Sequence, residues 1–204
     1  MSHVATNVHA EVQPSQSCVG RFFGVFYSPG ETFADIVRKP DFIFPLLALI
    51  VSTVAATETM LWKVGAERMA RNVMEMSGSM SQLSPEQMDQ ALRQSSGIFA
   101  IVTHVTSVLG VPISLLIFAG LGILILNPLF GSQANFRTVF SVTCYAGLVR
   151  VVGAIMAIPV IFFGDPQVMS TRSPVPTNLG FFLDPREVSK GLYTLAVSFD
   201  LLTF

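Results

Sequence analysis

The sequence predicts an all-α, polytopic membrane helical bundle, and three observations carry that prediction. Charged residues make up 12% of the sequence against 51% hydrophobic ones, whereas a soluble domain carries about 25% charge. The charges collect in residues 1–41, 63–93 and 165–190, and the stretches between are almost bare. Those bare stretches reach the roughly 20 apolar residues that one bilayer crossing needs. The formal net charge of −1 provides no broad basic surface, so no nucleic-acid partner is expected.

Residues 1–20, MSHVATNVHAEVQPSQSCVG, hold no apolar signal-peptide core and read as a disordered polar tail. Interfacial helices are expected over 21–39. Phe22, Phe23 and Phe26 recur at helical spacing beside Arg21. Ser28-Pro29-Gly30-Glu31 has the pattern of a capping box, with Ser28 as cap, Pro29 in the first helical position and Glu31 reaching back. Phe33, Ile36 and Val37 then form an apolar stripe against Glu31, Asp35, Arg38 and Lys39. Pro40 forces Lys39 out of the helical region and ends the element. About forty residues that include a disordered tail cannot build a soluble core. The amphipathic segment is therefore expected to lie on the membrane surface.

The first span is expected over 42–62, closed by Trp62 and Lys63, an aromatic and a snorkelling cation. Residues 64–97 read as an extramembrane helical hairpin. Its first arm carries Met69, Val73 and Met76 at helical spacing, and Ser77-Gly78-Ser79 breaks it. Its second arm starts at a further capping box, Ser84-Pro85-Glu86-Gln87. The second span covers 98–126, longer than one untilted crossing needs. Gly110 and Pro112 near its middle predict a kink or tilt. A tight polar turn, NPLFGSQANFR, leads to a third span over 139–163, and a Pro-rich loop occupies 164–190. The terminal GLYTLAVSFDLLTF over 191–204 is shorter than a crossing, so it either lies in the interface or opens a further span.

No H-E-x-x-H, G-x-S-x-G, P-loop or C-x-x-C motif occurs, so neither catalytic residues nor a metal or cofactor are expected. Cys18 and Cys144 sit in unlike settings and are not read as a disulfide. The methionines at 69, 74, 76, 80 and 88 would suit Cu(I), but no His or Cys accompanies them in that loop, and packing is the reading. Ionisable residues inside the apolar runs are the functional candidates: Arg150, Asp200, Glu58 and His104. A central Arg costs about 2.5–3.5 kcal/mol even on lenient insertion scales, so Arg150 needs a partner or a wet groove. Asp200 is one such partner; carbonyls and water are the other solution. Glu58 and His104 lie at similar depth on consecutive spans, where they either relay a proton or bind a metal ion, or else snorkel or bond between helices, which is the preferred reading. Gly110-x-x-x-Ser114 and Gly153-x-x-x-Ala157 allow close helix contact.

Four stretches, FYSPGETFADIVRKPDFIFPLL, LSPEQMDQAL, FGSQANFRTVFSVTCYAGLVR and FDLLTF, together resemble the bacterial branch of the Yip-one domain family of membrane proteins. The likeness covers roughly residues 20–204. It implies five spans with a cytoplasmic N-terminus in a bacterial cytoplasmic membrane. It also implies that the last segment starts a fourth span and that the sequence is truncated at its C-terminal end. Eukaryotic relatives bind small GTPases, but their DLYGP-type motif is missing here and that role is not carried over. Counting cations by side favours the opposite orientation, so the orientation rests on the resemblance. The expected function is a non-enzymatic, interacting or membrane-organising component. The bilayer and other membrane proteins are its expected partners, and a homo-oligomer is allowed. The alternative is a small transporter or ion-conducting protein using Arg150 and Asp200.

Overall fold

Eight α-helices and one short 3-10 turn make up the residues that the computed structural model describes, 16–77, 84–164, 179–183 and 187–198; no strand occurs among them. Helices α1 (Cys18–Tyr27) and α2 (Pro29–Arg38) form a hairpin ahead of α3 (Ile43–Val64). Helix α4 (Ala66–Ser77) packs on α5 (Pro85–Phe130). The pair α6 (Phe136–Ala146) and α7 (Val149–Phe163) follows, and α8 (Lys190–Ser198) packs with the 3-10 turn Leu179–Phe182. Three segments, Ile43–Val64, Glu86–Phe130 and Phe136–Phe163, are long and apolar enough to cross a membrane. The first 15 residues of the expected tail, most of the Pro-rich loop and residues 199–204 with Asp200 lie outside the described residues.

The ends of these helices follow from local chemistry. At α5, Ser84 Oγ accepts the Gln87 N–H at 3.3 Å, and Gln87 Oε1 accepts the Ser84 N–H at 3.0 Å. That completes the capping box expected from the sequence. The same pattern at Ser28 does not close. The Ser28 hydroxyl makes no cap bond, because Ser28 is the sole residue between α1 and α2 and must end one helix while starting the next. Its N–H bonds to the Gly24 carbonyl and its carbonyl accepts from Thr32 N–H. This double duty holds ψ at 65°, far from the 159° of the Ser84 cap. Gly65 and Gly131, at φ 85° and 62°, end α3 and α5 in the left-handed region.

Two expected elements take a different form. The second arm of the hairpin over 64–97 does not end before the second span: α5 runs 46 residues without interruption through Pro112, about 69 Å at 1.5 Å per residue. Between Arg93 and Ile98 only Gly97 is a weak helix former. Ser95 and Ser96 donate to the Leu92 and Arg93 carbonyls instead of breaking the helix. The third span, conversely, begins at Phe136 and is broken at Gly147–Leu148. There the Leu148, Arg150 and Val151 N–H groups bond three residues back rather than four. Asn127 clamps the turn between these spans: its Oδ1 accepts from Ser132 Oγ at 2.8 Å and from Ala134 N–H at 3.1 Å.

The main core joins Leu49 of α3 to Val111, Leu115 and Ala119 of α5 and to Phe140, Cys144 and Tyr145 of α6. On α5 the buried positions Ser107, Val111, Leu115 and Ala119 repeat every four residues, the spacing of one helix face. A smaller cluster gathers Met60, Ala157 and Ile161, with Met69 of α4 against it. The opposite faces of α5 and α7 stay apolar and exposed, from Ile98 to Phe130 and from Ile155 to Phe163. So wide an apolar surface suits hydrocarbon, not water.

Candidate functional site: an ion-pair latch at the mouth of the first span

The one arginine of α1 is 1% exposed, although its helix is a ten-residue element at the edge of the molecule. Arg21 lies on the face of α1 that meets α2. Gly24, one turn on, lets the two helices come close; a Cβ there would collide with Thr32 Oγ1. Across that contact α2 buries Thr32, Asp35 and Ile36, spaced as one helix face. Arg21 Nε and Nη2 both reach Asp35 Oδ2 at 2.9 Å. Its Nη1 donates to Asp41 Oδ2 at 2.6 Å and to the Lys39 carbonyl at 2.9 Å. Asp41 Oδ1 in turn accepts from the hydroxyl of Tyr145 on α6 at 2.7 Å.

The remaining valences of Asp35 are filled as well. Its Oδ2 accepts the Gln16 N–H at 3.0 Å, and Oδ1 pairs with Arg38 Nη2 at 3.1 Å. One guanidinium thus ties together α1, α2, the corner before α3 and, through Asp41, the third span. Among the described residues no buried side-chain nitrogen or oxygen lacks a partner, the condition under which a buried ion pair is tolerated. Burial pushes the Asp35 carboxyl upward, but the Arg21 hydrogen bond, the Gln16 N–H and the charges of Arg21 and Arg38 outweigh it and hold it below the usual carboxylate range. Burial likewise pulls Arg21 down, and the bond to Asp35 with the charges of Asp41 and Asp35 carries it above its ordinary value.

Sequence reasoning singles out none of these four residues. It puts Asp35 on the polar side of α2, opposite Phe33, Ile36 and Val37; Asp35 is instead 2% exposed and shares its face with Ile36, itself 0% exposed. Ile36 lies in the core and Phe33 packs against it, while Val37 and Glu31 remain exposed and Pro29 is the first residue of α2. The outward apolar face of the hairpin belongs to α1, through Val19, Phe23, Phe26 and Tyr27. A signal is present all the same: Arg21 is a lone cation in GRFFGVFY, and a charge in such a setting asks for an acid.

The other candidates separate. Glu58 and His104 are brought together, Oε1 to Nε2 at 2.9 Å, while His104 Nδ1 lies 2.6 Å from the Ala100 carbonyl. Both ring nitrogens therefore face acceptors, the arrangement of an imidazolium or of a proton shared with the carboxyl. Both side chains are about half exposed, on the outer surface of α3 and α5. Arg150 is exposed on α7 and has no ion pair among the described residues. Ala157 of the Gly153-x-x-x-Ala157 spacing is already used inside the molecule, packed with Met60. A groove of about 490 Å³ between α2 and the turn before α6 is lined by Val37, Leu126, Gln133, Asn135, Thr138 and Val139, among others. Among the described residues no three His, Cys, Asp or Glu side chains converge as a metal site would require.

No curated protein and no solved structure matches this sequence. A family profile does: that of the Yip1 domain, over residues 23–199. The match takes in most of the latch hairpin, all three membrane-spanning segments and α8. This chain, an integral membrane protein of helical-bundle architecture, therefore belongs to the Yip1 domain family.

Proposed function

We propose that the protein is a non-enzymatic membrane component that works by binding other membrane proteins and by organising the bilayer around its N-terminal hairpin. The observation that carries this reading is the latch. A fully paired Arg21–Asp35–Asp41–Tyr145 network holds α1 and α2 rigidly against the bundle, and α1 offers Val19, Phe23, Phe26 and Tyr27 outward. A rigid helix with an exposed apolar face next to a membrane-spanning segment suits the bilayer interface. On this reading the hairpin lies on the cytoplasmic side of a bacterial cytoplasmic membrane, with the N-terminus in the cytoplasm. Co-purification in mild detergent, followed by identification of bound proteins, is the test. Partners retained by the wild type and lost with Arg21→Ala support the role; a protein that stays solitary under every mild condition overturns it.

A second reading, a small transporter or ion-conducting protein, draws on the Glu58–His104 contact. Proton flux into liposomes that falls with Glu58→Gln would favour it, and unchanged flux removes its support.

A further inference from the structure

Helices α3 and α5 are joined in two unlike ways along their length. Toward one end, Leu49 of α3 sits in the main core with Val111 and Leu115 of α5. Toward the Trp62 end, α5 has no buried residue between Leu92 and Ser107, and Phe99, Ala100 and Thr103 are only half-buried. The smaller cluster there takes Met60 of α3 to Ala157 and Ile161 of α7 and includes no residue of α5. Among the described residues a single side-chain ion pair or hydrogen bond ties α3 to α5, Glu58 Oε1 to His104 Nε2 at 2.9 Å. It lies four residues before Trp62, about 6 Å along the axis. That is shallow enough for protons to arrive from the headgroup region.

We infer that Glu58 and His104 form a proton-dependent clasp, which holds the Trp62 end of α3 against α5 and releases it when their shared proton leaves. His104 Nδ1 is 2.6 Å from the Ala100 carbonyl, which can only accept, so Nδ1 carries a hydrogen. Nε2 and the carboxylate then bond through one further proton, placed on either of them. Without it a nitrogen lone pair faces a carboxylate at 2.9 Å and the contact turns repulsive. The clasp is therefore closed while the proton is held and opens as pH rises. Acid does not open it, since the carbonyl oxygen of a neutral Glu58 still accepts from Nε2–H. With no side chain of α5 buried at this end, apolar contact contributes little in its place. The other ionisable groups on the packed elements are few. On α3, Lys63 is held by the Phe162 carbonyl. On α5, Glu86, Asp89 and Arg93 stand three or more turns before His104, and on α4, Glu67, Arg68, Arg71 and Glu75 start nine residues beyond Glu58. On α7, Arg150 lies seven residues before Ala157, which packs on Met60. Arg137, Cys144 and Tyr145 of α6 accompany the opposite half of α5, where Gly122 meets Val139. The clasp goes beyond the interaction role and requires no flux.

The test is a distance between two spin labels, placed at Trp62→Cys and Ile98→Cys in the Cys18→Ser protein in liposomes; Cys144 is buried and stays unlabelled. Both labelled positions are exposed and stand beyond the clasp on their helices. Raising the pH from about 5 to about 9, across the ordinary imidazole range, should lengthen and broaden that distance. Glu58→Gln should hold the short distance at both ends of the range, because an amide N–H bonds to Nε2 without the shared proton. His104→Ala should give the long distance at both. An unchanged distance with Glu58 and His104 both in place overturns the clasp, and that comparison needs no variant of the pair to fold. So does opening at the acid end, or a short distance in His104→Ala. A pH response that survives Glu58→Gln would assign the movement to another group and overturn it too.

Discussion

Two arginines stand alone in apolar sequence, Arg21 in GRFFGVFY and Arg150 in LVRVVGA, and the fold treats them in opposite ways. Arg21 is 1% exposed and meets two carboxylates and a backbone carbonyl. Arg150 is exposed at mid-span and meets no acid among the described residues. The difference lies in what the fold brings to each. A one-residue link folds α2 back on α1 and carries Asp35 to Arg21, and Pro40 turns the backbone so that Asp41 arrives as well. The main neighbour of α7 is α3, which contributes Leu49 beside Gly147 and, three residues on, Ser52, neither of them an acid. The first charge is paired among the described residues and the second is not.

The largest expected effect comes from breaking the first arginine. Arg21→Ala leaves Asp35 buried without its main partner, and such a loss costs about 3–5 kcal/mol. Hydrogen exchange should show α1 and α2 losing protection while α3 and α5 keep theirs; unchanged protection would mean the latch contributes nothing. Next is Gly24→Ala, which drives a methyl into Thr32 and is expected to destabilise the hairpin by about 1–3 kcal/mol. Combining it with Thr32→Ala should recover most of that loss in thermal unfolding, because the collision is with the Thr32 hydroxyl itself.

Acid should act on the same pair. The folded Asp35 carboxyl titrates below its ordinary value, so its contribution is complete above the unfolded value near 4 and is lost as pH falls through the lower folded one. Limited proteolysis within α1 and α2 should therefore stay slow at about pH 5 and quicken only below about pH 4. Onset at about pH 6, where His titrates, would assign the transition to another group. The smallest effect belongs to the second arginine. Arg150→Leu removes a charge that has no ion pair among the described residues and should leave thermal stability in detergent within about 0.5 kcal/mol of the wild type. A large loss would show that Arg150 has an internal partner after all.

Much of the architecture is legible in residues. The spans can be read because hydrocarbon admits so few charges that their gaps in sequence mark the crossings. Ser84 caps α5 as its motif predicts, since it has only its own helix to serve. Ser28, with the same Ser-Pro start, does not, since it serves two. The break at Gly147 is hidden in the sequence because a glycine in an apolar helix often changes nothing; here the close approach of Leu49 accompanies it. The latch escapes a sequence reading because Asp35 sits one position from Ile36. A helical wheel assigns a polar residue to solvent when it cannot see the helix packed beside it.

Residue order is enough to give the solvent of this protein, the number of membrane-long apolar segments in the described residues and the family it joins. Each depends on composition along the chain, which is a local property. It takes the packed helices to show that Arg21, Asp35, Asp41 and Tyr145 form one network and that Glu58 touches His104. The same packing leaves Arg150 without an acid among the described residues. Those facts depend on which helix faces come together across separations as long as the 104 positions between Asp41 and Tyr145. Helical periodicity says which residues share a face, and only packing says what that face meets.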